Sequence, residues 1–130
     1  MHNLFRVTED PIVIESIINH VKREANGARV VFIGSLRGHS SDGRRVARAE
    51  CKIEKEKAQQ RLRDVGKDIC LRWKLEDVAM CHRIGDIGVG ETILVVAIGA
   101  PHRQEAFEAC QHAVDRVKDS LLIAEILETS

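Results

Sequence analysis

The segment Thr92–Ile98 constrains the fold more than any other part of the chain, because TILVVAI is uniformly apolar or β-branched. Such a run favours the pleated conformation and is too apolar for an exposed edge, so it reads as an interior strand of a sheet. It ends at Gly99-Ala100-Pro101. A helix is expected to begin near His102 or Arg103, since Ala106, Cys110, Val114, Val117 and Leu121 recur every three or four residues and make a buried stripe. A central strand that passes directly into an amphipathic helix requires a sheet with helices packed on it.

The rest of the chain supplies the partners. Asp10-Pro11 reads as an N-cap followed by the first position of a helix. Val13, Ile14, Ile17, Ile18 and Val21 form its apolar stripe and Gly27 its stop. Ala28–Ile33 reads as a short buried strand, followed by the polar loop SLRGHSSDGRR. From Val46 the period becomes two: Ala47, Ala49, Cys51 and Ile53 alternate with Arg48, Glu50 and Lys52, which marks a strand with one wet face. A long helix follows, with Ala58, Leu62, Val65, Ile69 and Trp73 on its apolar face. Gly66 inside it is a local weakness of about 1 kcal/mol relative to Ala. Asp77–Ile84 is a further strand and GDIGVGE a glycine-rich turn. The order is α-β-loop-β-α-β-β-α with a short tail. This is an α+β, two-layer arrangement in one domain spanning residues 1–130: helices cover one face of a mostly antiparallel sheet.

Composition removes several function classes. Twenty basic side chains balance twenty acidic ones, which argues against a general nucleic-acid or membrane-surface binder. Aromatic residues are 3% and Tyr is absent, so stacking platforms for single-stranded nucleic acid are missing. Arg44, Arg45 and Arg48 are read as a solvated loop and strand face, and RNA binding through GRRVAR is disfavoured. No apolar run approaches membrane-spanning length and MHNLFRVTEDP has no signal-peptide pattern, so a cytoplasmic protein is expected. Cys51, Cys70, Cys81 and Cys110 show no paired spacing and read as small buried thiols, not as metal ligands.

The chemistry concentrates at GAPHRQEAFEACQHAVDRVK. A helix N-terminus offers unpaired N–H groups and a positive dipole end, and His102 and Arg103 add donors there. Phe107, Gln111, Val114 and Lys118 fall near one helix face. Lys118 therefore lies about four turns from His102 and Arg103. If the loop after the strand at Ala28–Ile33 folds over that wall, Arg37 and His39 join a cationic pocket suited to phosphate or carboxylate. Each residue alone has a plainer reading as a solvated side chain. His82 reads as a strand residue on the face of Met80 and Ile84, with no site implied.

HRIGDIGVGETILVVAIGAPHRQEAFEACQHAVDRVK, from His82 to Lys118, resembles the catalytic subunit of molybdopterin synthase. FIGSLRGHS is similar to that family's G-x-x-R-x-H loop, here Gly34, Arg37 and His39. AECKIEKEKAQQRLRDVG sits where the family has a strand and then a helix. The resemblance runs from about Ala28 to Lys118. It implies an α/β hammerhead-type fold and a homodimer bound at its ends by a small ubiquitin-like sulfur carrier, making a heterotetramer. The carrier's Gly-Gly tail, ending in a thiocarboxylate, is expected to enter a pocket on this subunit. Its sulfur attacks a cyclic pyranopterin monophosphate in molybdenum cofactor biosynthesis, and two transfers give the dithiolene. No cofactor is implied. Lys118 is the expected catalytic residue; Arg37, His39, His102 and Arg103 are the expected substrate-binding residues.

The resemblance ends at Lys118. The family continues with a Pro-aromatic-aromatic-Lys run carrying a second catalytic lysine, whereas this chain reads DSLLIAEILETS. Counting from Lys118 puts Glu125 at that lysine's place, and the C-terminus is shorter. A carboxylate about 5 Å from a phosphate would turn an attraction into a repulsion, each of order 3 kcal/mol at an effective dielectric near 20. Two readings follow: a sulfur-transferring subunit with a rearranged end, or a non-catalytic relative that binds the carrier tail or a pterin phosphate without turnover.

Overall fold

The computed structural model describes residues 3–129. The strand at the centre of the sequence argument, β6 (Thr92–Ala100), is also central in space. Numbering all elements in chain order, the others are β1 (Leu4–Thr8), α1 (Ile14–His20), β2 (Ala28–Ser35), β3 (Val46–Cys51), α2 (Lys55–Trp73), β4 (Asp77–Arg83), β5 (Gly85–Gly88), α3 (Arg103–Ser120) and β7 (Ala124–Leu127). The main sheet has the order β1-β4-β6-β2. Its β4–β6 and β6–β2 pairs are antiparallel and β1–β4 is parallel. A smaller antiparallel sheet has the order β5-β3-β7. The architecture is the expected α+β one, with a mostly antiparallel sheet covered by helices.

Strand alternation sorts the core. Val78, Met80, Leu94, Val96 and Ile98 face the long helices, where they meet Leu62, Val65, Ile69, Val114 and Val117. Ala79, Cys81, Val95 and Ala97 face the other way and are covered by Ile17 of α1 and Val21, the residue that caps its C-terminus. The short helix thus closes the face opposite to α2 and α3. Helices therefore lie on both faces of the main sheet and not on one as expected, because the β4 and β6 residues of that second face are also apolar. Its connection to β2 is tied to the sheet by Asp77, which is 2% exposed. The carboxylate accepts from Arg23 Nη1 at 3.0 and 3.1 Å and from Asn26 Nδ2 at 2.7 Å.

Several expectations are corrected. The first helix is capped by Val13, not Asp10; Asp10 and Pro11 belong to the turn after β1, where the Asp10 N–H donates to Thr8 Oγ1 at 3.0 Å. That helix ends at His20, well before Gly27. The β2 strand is an edge paired only to β6, so it is half-buried and Ile33 is 46% exposed. Ala47 is exposed, not inward, because a bulge between Val46 and Arg48 resets the alternation against β7. The GDIGVGE segment is a strand, β5, followed by a turn at Gly90, whose φ is +86°. Two short strands, β1 and β7, lie where the sequence shows no pattern long enough to read.

Gly66 is a packing requirement and not a defect. The Phe5 ring of β1 rests on it, and a Cβ there would fall on Cε1 and Cζ of that ring. Nearby, Gln59 of α2 accepts from the Val7 N–H at 3.1 Å and donates to the Phe5 carbonyl. The outer edge of β1 is thereby satisfied by a side chain in place of another strand.

Candidate functional site

The α3 helix returns antiparallel along β6, so its two ends lie at opposite ends of the main sheet. His102 is its N-cap, with extended backbone, and donates no side-chain cap. His102 and Arg103 are both exposed at that end. Lys118 stands in the last turn, sixteen residues on, which at 1.5 Å per residue is about 24 Å away. The negative end of the helix dipole favours an ammonium there.

Lys118 borders a cavity of about 360 Å³. Its walls come from β2 (Phe32, Gly34), β6 (Leu94), the end of α3 and the following turn, Leu121 to Ile123. The Lys118 ammonium lies 5.8 Å from the Phe32 ring centroid, within reach of a cation–π attraction. Among the residues lining the cavity Lys118 alone carries a full charge. A lone cation at the rim of a mostly apolar recess suits a single small anion.

The loop bearing Arg37 and His39 is at this same end. β2 meets β6 with Ser35 opposite Thr92. Beyond it the Leu36 N–H donates to the Glu91 carbonyl at 3.0 Å, and the Gly90 N–H to the Leu36 carbonyl at 2.8 Å. His39 then bridges to Arg45. Arg37 and His39 are exposed and lie outside the cavity wall. The expected single cluster is therefore divided within one chain. Lys118 and the Arg37–His39 loop share one end of the sheet, while His102 and Arg103 occupy the other. The sequence places four turns between them but cannot say that no strand brings the helix start back.

Glu125 lies in β7 opposite Ala49, exposed, and is not part of the cavity wall. The neighbouring residues that do reach it, Leu121, Leu122 and Ile123, are apolar. Arg83, a second cation close in sequence to the site, is committed elsewhere. It is 7% exposed and donates to the Glu9 carbonyl at 3.0 Å, the Glu91 carboxylate at 3.0 Å and the Asp86 carbonyl at 3.3 Å. Glu91 also accepts from the Gly88 N–H at 2.6 Å. That backbone bond first, and Arg83 second, hold its carboxyl below the usual range. The acidic residue of the glycine turn thus fixes β5 to β6.

One residue lining the cavity was missed by sequence reasoning. His82 is 2% exposed, on the face of Met80 as expected, but it borders the Lys118 cavity. Its Nδ1 lies 2.6 Å from the Arg83 carbonyl. A carbonyl only accepts, so Nδ1 carries the proton. Burial lowers the ring's pKa to about 4 despite that bond, and the imidazole is neutral at physiological pH. The signal in the sequence was its position beside Arg83 at the end of an otherwise apolar strand.

Thiol chemistry is not available at these positions. Cys51, Cys81 and Cys110 are buried and Cys70 partly so. Burial pushes Cys81 and Cys110 up to about 11, leaving them protonated and unreactive. The arginines of the polar loop and β3 form surface ion pairs: Arg44 with Asp42, Arg45 with Glu128, and Arg48 with Glu50.

The chain and its fold have known relatives. Residues 7–120 match the family model described as MoaE protein. The molybdopterin synthase catalytic subunit of Bacillus subtilis is 37% identical over 88% of this chain and 72% of its own length. The crystal structure of molybdopterin synthase from Staphylococcus aureus superposes with a TM-score of 0.87 at 28% identity, covering 97% of this chain and 93% of that one. The fold also recurs in the complex of subunits 1 and 2 of molybdopterin-converting factor from Helicobacter pylori. There the TM-score is 0.72 at 14% identity, covering 96% of this chain and 86% of that one. A match across most of the chain, a relative above 30% identity and a shared fold together place this chain in the MoaE protein family.

Proposed function

We propose that the protein is the catalytic subunit of a molybdopterin synthase, a sulfurtransferase of molybdenum cofactor biosynthesis. The observation that carries the reading is Lys118, the one full charge on the wall of a cavity of about 360 Å³, in a chain whose relatives bear that name. The thiocarboxylate of a carrier's Gly-Gly tail enters beside Lys118. The ammonium neutralises the tail's charge while its sulfur attacks a pterin carbon and displaces an oxygen substituent, which joins tail and pterin as a thioester. Water then adds to the thioester carbonyl and the ammonium stabilises the resulting oxyanion. The acyl C–S bond breaks to leave the sulfur on the pterin and a carboxylate on the tail. A small carrier as partner is supported by the two-subunit complex solved in Helicobacter pylori.

Arg37 and His39, on the loop at the same end, extend the positive surface outward to receive the substrate phosphate. His102 and Arg103 are too distant to reach the same ligand from the same chain. They act at Lys118 only from a second copy, in a homodimer that carriers convert into a heterotetramer. Lys118 works without the second lysine of the family pattern, since Glu125 supplies no cation. The reaction takes place in the cytoplasm; no described helix is long and apolar enough to cross a membrane.

The test is direct. Purified protein is mixed with a thiocarboxylated carrier and the cyclic precursor, and dithiolene product is measured. Product is expected. Carrier binding without product would overturn the catalytic reading and leave a binding subunit.

A further inference from the structure

The Lys118 cavity contains a titratable ring that the proposed chemistry has not used. The His82 ring is almost fully buried, and its orientation is fixed because Nδ1–H donates to the Arg83 carbonyl. Nε2 is then the unprotonated nitrogen, an acceptor only. It makes no hydrogen bond to any described residue, while the ring borders the cavity. An acceptor in a ring that lines the cavity, and that no described residue occupies, is open to a donor from a ligand.

The donor's surroundings restrict what it can be. The rest of the wall is largely apolar, with Phe32, Leu94, Val117 and Leu121 among its members, and Lys118 is its only full charge. A phosphate dianion would leave a net negative charge in this recess. A ligand with one negative end and one adjacent N–H, and with no side chain, meets both Lys118 and His82, and leaves the Ser35 hydroxyl at the wall to solvent. The end of a Gly-Gly peptide has that pattern: a terminal carboxylate or thiocarboxylate, and the N–H of the last peptide bond beside it.

We propose that His82 is a ligand-binding residue of the Lys118 cavity, its Nε2 accepting the last peptide N–H of a Gly-Gly tail whose anionic end faces Lys118. The assignment rests on the tail-binding reading above. It adds to that reading a neutral acceptor that selects peptide termini with a free amide hydrogen. His82 contributes by holding the tail in register with Lys118. It requires no proton transfer.

The test uses two short synthetic peptides, one ending in Gly-Gly and one ending in Gly-N-methylglycine, titrated into the protein by NMR. Methylation removes the donor and is expected to weaken binding to the wild-type protein about tenfold. In His82→Asn the amide NH2 can still donate toward the Arg83 carbonyl, but the shorter side chain places no acceptor at the Nε2 position. That variant is expected to bind both peptides equally weakly, whereas His82→Gln, which restores an acceptor, regains the preference. The pyridine-type 15N signal of His82 should also move when the Gly-Gly peptide binds and stay in place with the methylated one. Equal loss on methylation in wild type and His82→Asn would overturn the assignment. So would an affinity loss in His82→Asn for a pterin phosphate but not for the peptide, since the acceptor would then serve the other substrate. If the wild-type protein binds neither peptide, the tail reading itself fails and the His82 assignment goes with it.

Discussion

The Phe5 ring packs directly against Gly66, so that β1 approaches α2 through the one position of that helix that has no side chain. On propensity alone Gly66→Ala would strengthen the helix by about 1 kcal/mol. Here the new methyl must displace a packed aromatic ring, which costs about 1–3 kcal/mol. The second effect is expected to dominate, lowering Tm by roughly 5 °C. In a Phe5→Ala background the clash is gone, and the same substitution should become neutral or stabilising. Thermal denaturation of the four proteins gives the coupling directly; additive effects would show that the ring does not set the helix's tolerance.

Lys118 is exposed at the end of α3 and its ammonium meets only the Phe32 ring among the described side chains. Lys118→Ala should therefore leave stability within about 0.5 kcal/mol of wild type. Turnover should fall by more than about 100-fold, because a preorganised charge at a forming oxyanion is lost. Single-turnover sulfur transfer together with urea denaturation separates the two effects. Unchanged turnover would move the site elsewhere.

His82 links stability to pH. In the unfolded chain it titrates near 6.5, but burial lowers it to about 4 in the folded protein. Below pH 6.5 the unfolded state takes up a proton that the native state refuses, so stability falls as pH falls. The loss grows by up to 1.36 kcal/mol per pH unit and levels off near pH 4, at about 3 kcal/mol in all. Above pH 6.5 this residue contributes no slope. Urea unfolding of wild type and His82→Asn between pH 7.5 and 4.5 should show the extra acid sensitivity in the wild type alone. Parallel curves would mean that the ring is charged when folded.

What the sequence showed, it showed through periodicity. The two long helices, β4 and β6 were legible because their apolar residues repeat over many turns or fill a whole strand. β1, β5 and β7 have only 5, 4 and 4 residues, too few for a pattern to rise above chance. Their existence depends on partners far away in the chain, as Gln59 does for β1 and β3 does for β7. The site was legible in its residue types but not in its grouping. Lys118, Arg37 and His39 were placed at one end of the sheet by the β2–β6 register, a tertiary fact. His82 stayed hidden because a lone histidine in an apolar strand is usually satisfied in the core, and only the cavity beside it distinguishes this one.

The separation of about 24 Å between His102 and Lys118 along one helix makes the homodimer testable without a structure of it. If His102 and Arg103 act at the partner's Lys118, each site takes residues from two chains. A Lys118→Ala protein and a His102→Ala/Arg103→Ala protein are then each inactive alone. Unfolded together and refolded, they form mixed dimers in which one of the two sites is intact. Random pairing makes half of the dimers mixed, so about a quarter of wild-type turnover should return. A site built within a single chain would give no recovery at any mixing ratio, because each chain carries its own lesion. Recovery that rises and falls with the fraction of mixed dimers would identify His102 and Arg103 as contributions from the second copy.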